Sequence, residues 1–468
     1  MKPRTLLILF LLVAGLGAYV WFVERKLPSS SERAERAKKV LDFEVNDVEA
    51  VTLETGGKKV RLERQKAPAE AGKKSVDAPL GETWRLVEPL SAAADGGQVR
   101  MLLGTLSNLE AERSIEDFDR KELGLEAPRA RVSLRTAKGE TTLEVGADLP
   151  SSTSTIAAVA GGKVAVVVPA NFMTDVAKEA GDWRDRTLFH GDRSKIASVA
   201  LTHAGGPRVL LARRGESFWL EAPVSDRADR DLVDRLLSAL QGLAAKKFLE
   251  GPAADPATTG LANPSATLEV VVSGEATPFK LEFGKPESEG SLSHYARVGT
   301  EIVTTDADLA ADLERAPEAW RSLSWAGMAT WEVDRFEVSD AKGKLSLERA
   351  EGDWKRDGTS IPYSPVGDLL AAVTEIKGDK LVDAAPAGSA RITLKLVGKE
   401  GHEETLTLLA PAAGQVAAKS SERTAALQVP EAKLTDLEAK IAAVRAAQPL
   451  PKPEPKPGEA KVETEEGK

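Results

Sequence analysis

The sequence predicts an α+β protein in which an N-terminal transmembrane helix is followed by three tandem repeats, each an antiparallel sheet with two helices. Three observations support this prediction: an uncharged N-terminal run, an apolar stripe with helical spacing that occurs three times, and a tryptophan before each stripe (Trp84, Trp219 and Trp354). The interval from the first stripe to the second is nearly the same as that from the second to the third. The stripes consist of Val99, Leu102, Leu103, Leu106 and Leu109, then Val233, Leu236, Leu237, Leu240 and Leu243, then Val366, Leu369, Leu370, Val373 and Ile376.

The uncharged run covers residues 5–23, with Lys2 and Arg4 before it. At about 1.5 Å per residue, this run is long enough to cross a bilayer. The flanking charges predict a cytoplasmic N-terminus, a single span in the bacterial inner (cytoplasmic) membrane, and a periplasmic or extracytoplasmic remainder. A cleaved signal peptide with Gly15 and Gly17 near the cut is the alternative, but the apolar run continues to Val23, which favours an anchor.

Length and composition agree with a repeat protein. The 468 residues are too many for one core and enough for three domains of ordinary size. The predicted organisation is a membrane anchor (1–26), a tether (27–40), three α+β repeats (41–189, 190–326 and 327–447) and a disordered tail rich in Pro, Lys and Glu (448–468).

Charge and cysteine content exclude several functions. The net charge is −9, from 72 acidic and 63 basic residues, which argues against a nucleic-acid partner. Cysteine is absent, so disulfides and thiolate chemistry are excluded.

Each repeat begins with a hairpin, at 48–64, 196–214 and 333–349, whose alternating pattern is broken by glycine. The strand with the tryptophan follows, and Asp95 or Asp229 then precedes the striped helix in the first two repeats. Beyond the helix, Gly124 and Gly260 lie shortly before a proline, which predicts a chain reversal; a ligand-contacting loop is the alternative. Further strands and a second helix complete the repeat. That helix ends at Trp183-Arg184, at Trp320-Arg321 and at Val444-Arg445.

The sequence predicts no catalytic, cofactor-binding or metal-binding residues. The four histidines are scattered, and phosphate-binding and nucleophile-elbow motifs are missing from the predicted extramembrane region. The residues expected to mediate interactions or to form joints between repeats are Trp183, Arg184, Trp320, Arg321, Trp325 and Trp331.

The chain resembles the bacterial domain of unknown function number 4340 over roughly 41–325. The resemblance includes the N-terminal anchor. In the first repeat it rests on Trp84, Pro89, Asp95, Leu102-Leu103, Leu123-Gly124-Leu125, Pro128, Leu143-Glu144-Val145-Gly146 and Trp183-Arg184. In the second repeat it rests on Trp219, Pro223, Asp229, Gly260, Leu261, Pro264 and Gly284. The resemblance implies a membrane-anchored protein, often encoded near ABC-type export permeases and gliding-motility-type auxiliary proteins, and it implies no catalytic residue.

Three functions from different classes remain open. The expected one is a non-enzymatic, membrane-anchored extracytoplasmic accessory or scaffold, with an ABC-type permease or an auxiliary envelope protein as partner. The alternatives are an envelope polymer-binding module, suggested by Trp325 and Trp331, and an unrecognised hydrolase. Near-identical repeats favour contact functions because they multiply surface, whereas catalysis normally makes one repeat differ.

Overall fold

The structure is a computed structural model that describes residues 38–65, 83–150, 153–306, 308–350, 352–383 and 386–451. The predicted anchor (1–26), most of the tether and residues 452–468 of the predicted tail lie outside the described residues. Within the described ranges, no helix is both long and apolar enough to cross a membrane.

Three antiparallel sheets of nine strands each form the framework of the described chain. The first contains β1 Val48–Thr55, β2 Lys58–Arg64, β3 Trp84–Glu88, β4 Ala92–Ala94, β5 Arg113–Glu116, β6 Ala130–Thr136, β7 Gly139–Asp148, β8 Ser154–Val159 and β9 Val164–Pro169. The second contains β10 Ile196–His203, β11 Val209–Arg214, β12 Ser217–Ala222, β13 Asp226–Arg227, β14 Lys247–Leu249, β15 Ala266–Val272, β16 Phe279–Pro286, β17 Ser293–Val298 and β18 Glu301–Asp306. The third contains β19 Val333–Asp340, β20 Gly343–Ala350, β21 Asp353–Arg356, β22 Thr359–Ile361, β23 Lys380–Val382, β24 Ala390–Gly398, β25 Glu403–Leu409, β26 Gln415–Ser420 and β27 Ala426–Pro430.

All three sheets have the same strand order, which confirms the prediction of repeated antiparallel units. In the first sheet the order is β4-β3-β2-β1-β6-β7-β8-β9-β5, and the second and third sheets repeat it. Two meanders therefore meet at a central pair, as between β1 and β6, where Leu53 lies opposite Val132. The fifth strand joins the far edge, opposite the fourth.

The striped helix connects the fourth strand to the fifth, so it must pass from one edge of its sheet to the other. These helices are α1 Gly96–Ser107, α3 Arg230–Gln241 and α6 Tyr363–Thr374. The first four stripe positions of each helix are buried, as predicted, and they pack with the central strands in the main apolar core of each repeat. Asp95 and Asp229 accept hydrogen bonds from backbone N–H groups in the first turn, as expected of N-caps.

The prediction of two helices in every repeat is wrong. After the ninth strand, the first repeat has α2 Met173–Val176 and the second has α5 Asp308–Leu313, whereas the third has the 16-residue helix α7 Glu431–Ala446. The third segment is rich in Ala, Leu, Glu and Lys and has no interior Gly or Pro, but Gly181 and Pro317 interrupt the other two. One further short helix is α4 Pro256–Thr259. The 3₁₀ turns are Val45–Asp47, Ala170–Phe172, Ala180–Trp183, Arg193–Lys195, Gly251–Ala254, Pro317–Trp320, Thr330–Glu332 and Lys399–Gly401.

The tryptophans that precede the three apolar stripes suggest one equivalent core position, but this equivalence is correct in only two repeats. Trp84 and Trp354 are buried in their cores, but Trp219 is half-buried, and Phe218 beside it fills the corresponding core position. An arginine lies over the buried ring in both of the first two repeats, with Arg64 5.1 Å from the Trp84 centroid and Arg213 4.6 Å from the Phe218 centroid. Neighbouring strand residues point to opposite faces, so a one-residue error exchanges core and surface.

The chain divides into two compact units between Arg186 and Thr187. The first repeat belongs to one unit, and the second and third repeats share the other. The three-domain boundaries at 189/190 and 326/327 stay a prediction.

Candidate functional site

The six residues predicted to form joints lie in different environments. Trp183, Trp320 and Trp325 are fully buried, in the cores of the first, second and third repeats respectively. Arg184 is buried and pairs with Ala94 in a β-bridge, and Arg321 pairs with Ala228 in the same way. Trp331 is 63% exposed. Their role in interactions stays a prediction, but Arg321 and Trp325 do contact a notable group of charges.

A cluster of buried charges lies between the second and third repeats, inside the second unit. We call it the charge cluster, and its members are Asp226, Arg227, Arg321, Glu404, Glu422 and Arg423. Five of them are less than a tenth exposed, and the Glu422 side chain is 17% exposed. Three arginines face three carboxylates, so the charges balance. Such pairs are expensive to bury unless every donor and acceptor is satisfied.

Asp226, at the start of β13, is the centre of one half of the cluster. Arg423 donates from Nε and Nη2 to its two carboxylate oxygens, both at 3.0 Å. Arg321 donates from Nε at 2.7 Å, and the backbone N–H of Arg227 donates at 2.8 Å. Four donors therefore occupy the acceptor positions of one buried carboxylate. Arg321 also reaches Asp383 of the third repeat, at 2.8 Å.

Arg227 is the centre of the other half. Its Nη2 donates to Glu404 and to Glu422, both at 2.7 Å. Glu404 also accepts from the Ser420 hydroxyl at 2.6 Å and from the Gly327 backbone N–H at 2.8 Å. A Cβ on Gly327 would lie 2.8 Å from the Arg227 guanidinium carbon, so a larger residue here would require the Arg227 side chain to shift.

The third repeat supplies a longer hairpin to this cluster. Residues 421–425 connect β26 to β27, whereas only Gly299 and Thr300 connect the equivalent strands β17 and β18. From this hairpin, Arg423 also donates to the backbone carbonyls of Ser322 and Ser324, at 2.9 and 3.2 Å. The indole N–H of Trp325 donates to the Lys419 carbonyl at 2.9 Å. Side chains and backbone thus link the second repeat, the connecting segment and the third repeat.

The electrostatics favour a charged Asp226. Burial raises the pKa of this carboxyl, but the hydrogen bonds and charge of Arg423, and then the hydrogen bond from Arg321, outweigh burial and hold the pKa below its ordinary value. A carboxylate that is ionised and saturated with donors has no free lone pair with which to accept a substrate proton. Among the described residues, no group of three or more His, Cys, Asp or Glu side chains could hold a metal ion.

The Gly-Leu turn has a structural role in both repeats that contain it. Gly124 and Gly260 adopt the left-handed conformation, with φ of 70° and 78°. The carbonyl preceding each of them packs against a strand glycine: a Cβ on Gly146 or on Gly284 would lie 2.2 Å from the Leu123 or Thr259 oxygen. This close fit agrees with the predicted chain reversal.

A family model described as Domain of unknown function (DUF4340) matches the chain over 84–264 and over 219–364. The two matches overlap and together span more than half of the chain. The protein belongs to the DUF4340 family. No curated protein and no solved structure matches it.

Sequence reasoning identified Arg321 as a joint residue of this DUF4340 protein but missed the other members of the charge cluster, although one signal was visible. The offset that aligns the first two apolar stripes also places Ala92 and Ala93 opposite Asp226 and Arg227. The backbone confirms the match, because Arg227 accepts from the Ser322 N–H as Ala93 accepts from the Asp185 N–H. Two adjacent charges where the other repeat has alanines mark a position under a different constraint.

Beside the cluster, a cleft of about 770 Å³ opens between the second and third repeats of the DUF4340 protein. Helix α3 forms one wall, with Arg230, Val233 and Asp234. The turn that carries Trp331 and the end of α6 form the other wall, and Arg227 also lines the cleft.

Proposed function

We propose that this protein works by contact and not by chemistry, as a non-enzymatic, membrane-anchored scaffold or accessory outside the cytoplasmic membrane. Its partner would be an ABC-type permease or an auxiliary envelope protein. The charge cluster is the observation that carries the proposal. It supports a body of two repeats in which the relative orientation of the repeats is fixed.

A buried ion pair adds little net stability, because the energy of removing charges from water offsets much of their attraction, and we infer that these pairs are retained because they specify the geometry. A purely apolar interface tolerates sliding, but a bidentate pair such as Arg423 with Asp226 is satisfied in one orientation. Interfaces between domains of one chain are otherwise usually mobile. A fixed orientation is useful to a protein that presents a surface to a partner.

Capture from native membranes tests this proposal. The full-length protein, purified with its neighbours after mild crosslinking, is expected to bring down a permease or an auxiliary envelope protein identified by mass spectrometry. Asp226→Ala should reduce this capture because Arg321 and Arg423 lose their shared acceptor. Glu221→Ala is the matched control, since it removes a surface pair with Arg214 in the same unit.

Catalysis would overturn the proposal. Turnover of a peptidoglycan, ester or phosphate substrate by the purified protein, lost on changing a single Asp, Glu or His, would show that the function is chemical. Capture that is equal for Asp226→Ala and the parent protein would show that the joint does not serve the partner.

A further inference from the structure

We infer that the cleft between the second and third repeats binds a neutral glycan chain, with one sugar ring stacked on Trp331. The inference goes beyond the scaffold role because it assigns a ligand class to a particular surface. It rests on that proposal in one respect: the cleft keeps its shape only if the second and third repeats, which form its two walls, are held in a fixed orientation.

The exposure of Trp331 is the first observation. Among the tryptophans in the described ranges, it alone presents most of its surface to solvent. The ring lies on an ordered turn: the Ala329 N–H donates to the Glu332 carboxylate at 2.7 Å, and Met328 and Val333 on either side are buried in the third core. A large aromatic ring on a fixed support, open to solvent, is suited to binding a partially apolar face.

The composition of the cleft is the second observation. Four arginines (193, 213, 227 and 230) and four carboxylates (Asp192, Glu216, Asp234 and Glu375) line it, but Arg227 already pairs with Glu404 and Glu422 of the charge cluster. The other charges nearly cancel, with three arginines against four carboxylates, and Arg193 and Asp234 are already paired at 2.8 Å. A balanced lining does not select a polyanion or a polycation. The hydroxyls of Ser217, Thr330 and Thr374 add further polar groups.

Together these features match the chemistry of a sugar. A pyranose has a C–H face that packs on an aromatic ring and a rim of hydroxyls that hydrogen-bond with charged and polar side chains. The volume lies within the range of about 300–1,000 Å³ typical of ligand sites. An apolar peptide would leave the polar lining unpaired, and an anionic polymer would face four carboxylates.

Titration calorimetry on the full-length chain, in buffer free of sugar-based detergent, tests the inference. The probes are linear N-acetylglucosamine oligomers and glucose oligomers, with polyphosphate and an apolar peptide as competitors from other classes. Trp331→Ala should weaken glycan binding by about tenfold or more, and Trp331→Phe should restore part of it because the smaller ring still stacks.

Tyr363→Ala is the matched control. Tyr363 is 69% exposed and lies at the start of α6, outside the cleft lining, so its loss should leave glycan affinity unchanged. Circular dichroism should show that both variants remain folded. Selectivity for one oligomer series would identify which polymer supplies the ligand.

Three results would overturn the inference: neither oligomer series binds, Trp331→Ala binds them as well as the parent chain, or polyphosphate or the peptide binds instead. Such a result would not affect the scaffold proposal, because partner capture does not depend on this ring. Conversely, a failed capture with retained glycan binding would refute the scaffold role alone.

Discussion

Gly284 is a single residue on which the Gly-Leu turn of the second repeat depends. Its Cβ would lie 2.2 Å from the Thr259 carbonyl oxygen and 3.2 Å from Leu261. Backbone on one side and a buried leucine on the other leave no side chain that could simply move aside. Sequence spacing predicted the turn but not this contact, because the two glycines of each pair are distant in sequence and meet only when β7 or β16 passes the turn.

We predict that Gly284→Ala destabilises the second repeat by about 1–3 kcal/mol, because overpacking must shift backbone. Hydrogen exchange across the repeat that carries the substitution would measure it. Gly104→Ala is the control: this helical position has nothing within 4 Å of a Cβ, so the change should be neutral or slightly stabilising. Equal protection in Gly284→Ala and the parent protein would contradict the packing argument.

A second residue-scale prediction separates Phe218 from Trp219. Phe218→Ala should cost about 3–5 kcal/mol because it empties a core position, whereas Trp219→Ala should cost clearly less because that ring is half-buried beneath Arg214. Thermal unfolding of the two variants compares them directly. A larger loss for Trp219→Ala would restore the equivalence that the tryptophan spacing suggested.

At the scale of elements, the sequence predicts what is local. The apolar stripes locate all three long connecting helices, because burial of i, i+3, i+4 and i+7 needs no knowledge of the partner sheet. A Trp-Arg pair at the end of the segment after the ninth strand predicts one common helix for the first two repeats. In the structure, each of these pairs instead lies at the end of a short 3₁₀ turn. The far-edge position of the fifth strand is not encoded locally, since nothing in Lys247–Leu249 specifies β18 as its neighbour.

We predict that Asp229→Ala destabilises the second repeat by about 1 kcal/mol, since the Leu232 N–H loses its acceptor at 2.9 Å. Asp229→Asn should be nearly neutral because asparagine caps equally well. Denaturant unfolding followed by circular dichroism would measure both. If both variants lost the same stability, the negative charge and not the cap would be the cause.

At the scale of the whole molecule, the charge cluster lies beyond sequence reasoning. Arg227 meets Glu404 and Asp226 meets Arg423 across 177 and 197 residues, so these pairings exist only once two sheets have formed and packed. Charge counts describe a chain with 72 acidic residues and cannot select three of them. The repeat comparison could identify Asp226 and Arg227 as exceptional, but not their partners.

We predict that acid weakens the second unit through Asp226. Its pKa lies below the ordinary value because the hydrogen bonds and charge of Arg423, together with Arg321, outweigh the opposing effect of burial. A carboxylate with a lowered native pKa adds stability that is complete above its unfolded pKa, about 3.9, and is lost as the pH falls through the native value. Between pH 6 and 3, the free energy of unfolding should therefore fall more steeply in the parent protein than in Asp226→Asn. At pH 6 the variant should already be less stable by about 3–5 kcal/mol, because a buried pair is broken. Urea unfolding at a series of pH values would measure both slopes.

Asp192→Asn, which changes an exposed capping carboxylate whose pKa is also lowered, should keep nearly the parent slope because solvent screens that site. Parallel slopes for Asp226→Asn and the parent would mean that this carboxylate does not control the joint, and the orientation of the two repeats would then depend on the pairing of Arg227 with Glu404 and Glu422 and on Trp325.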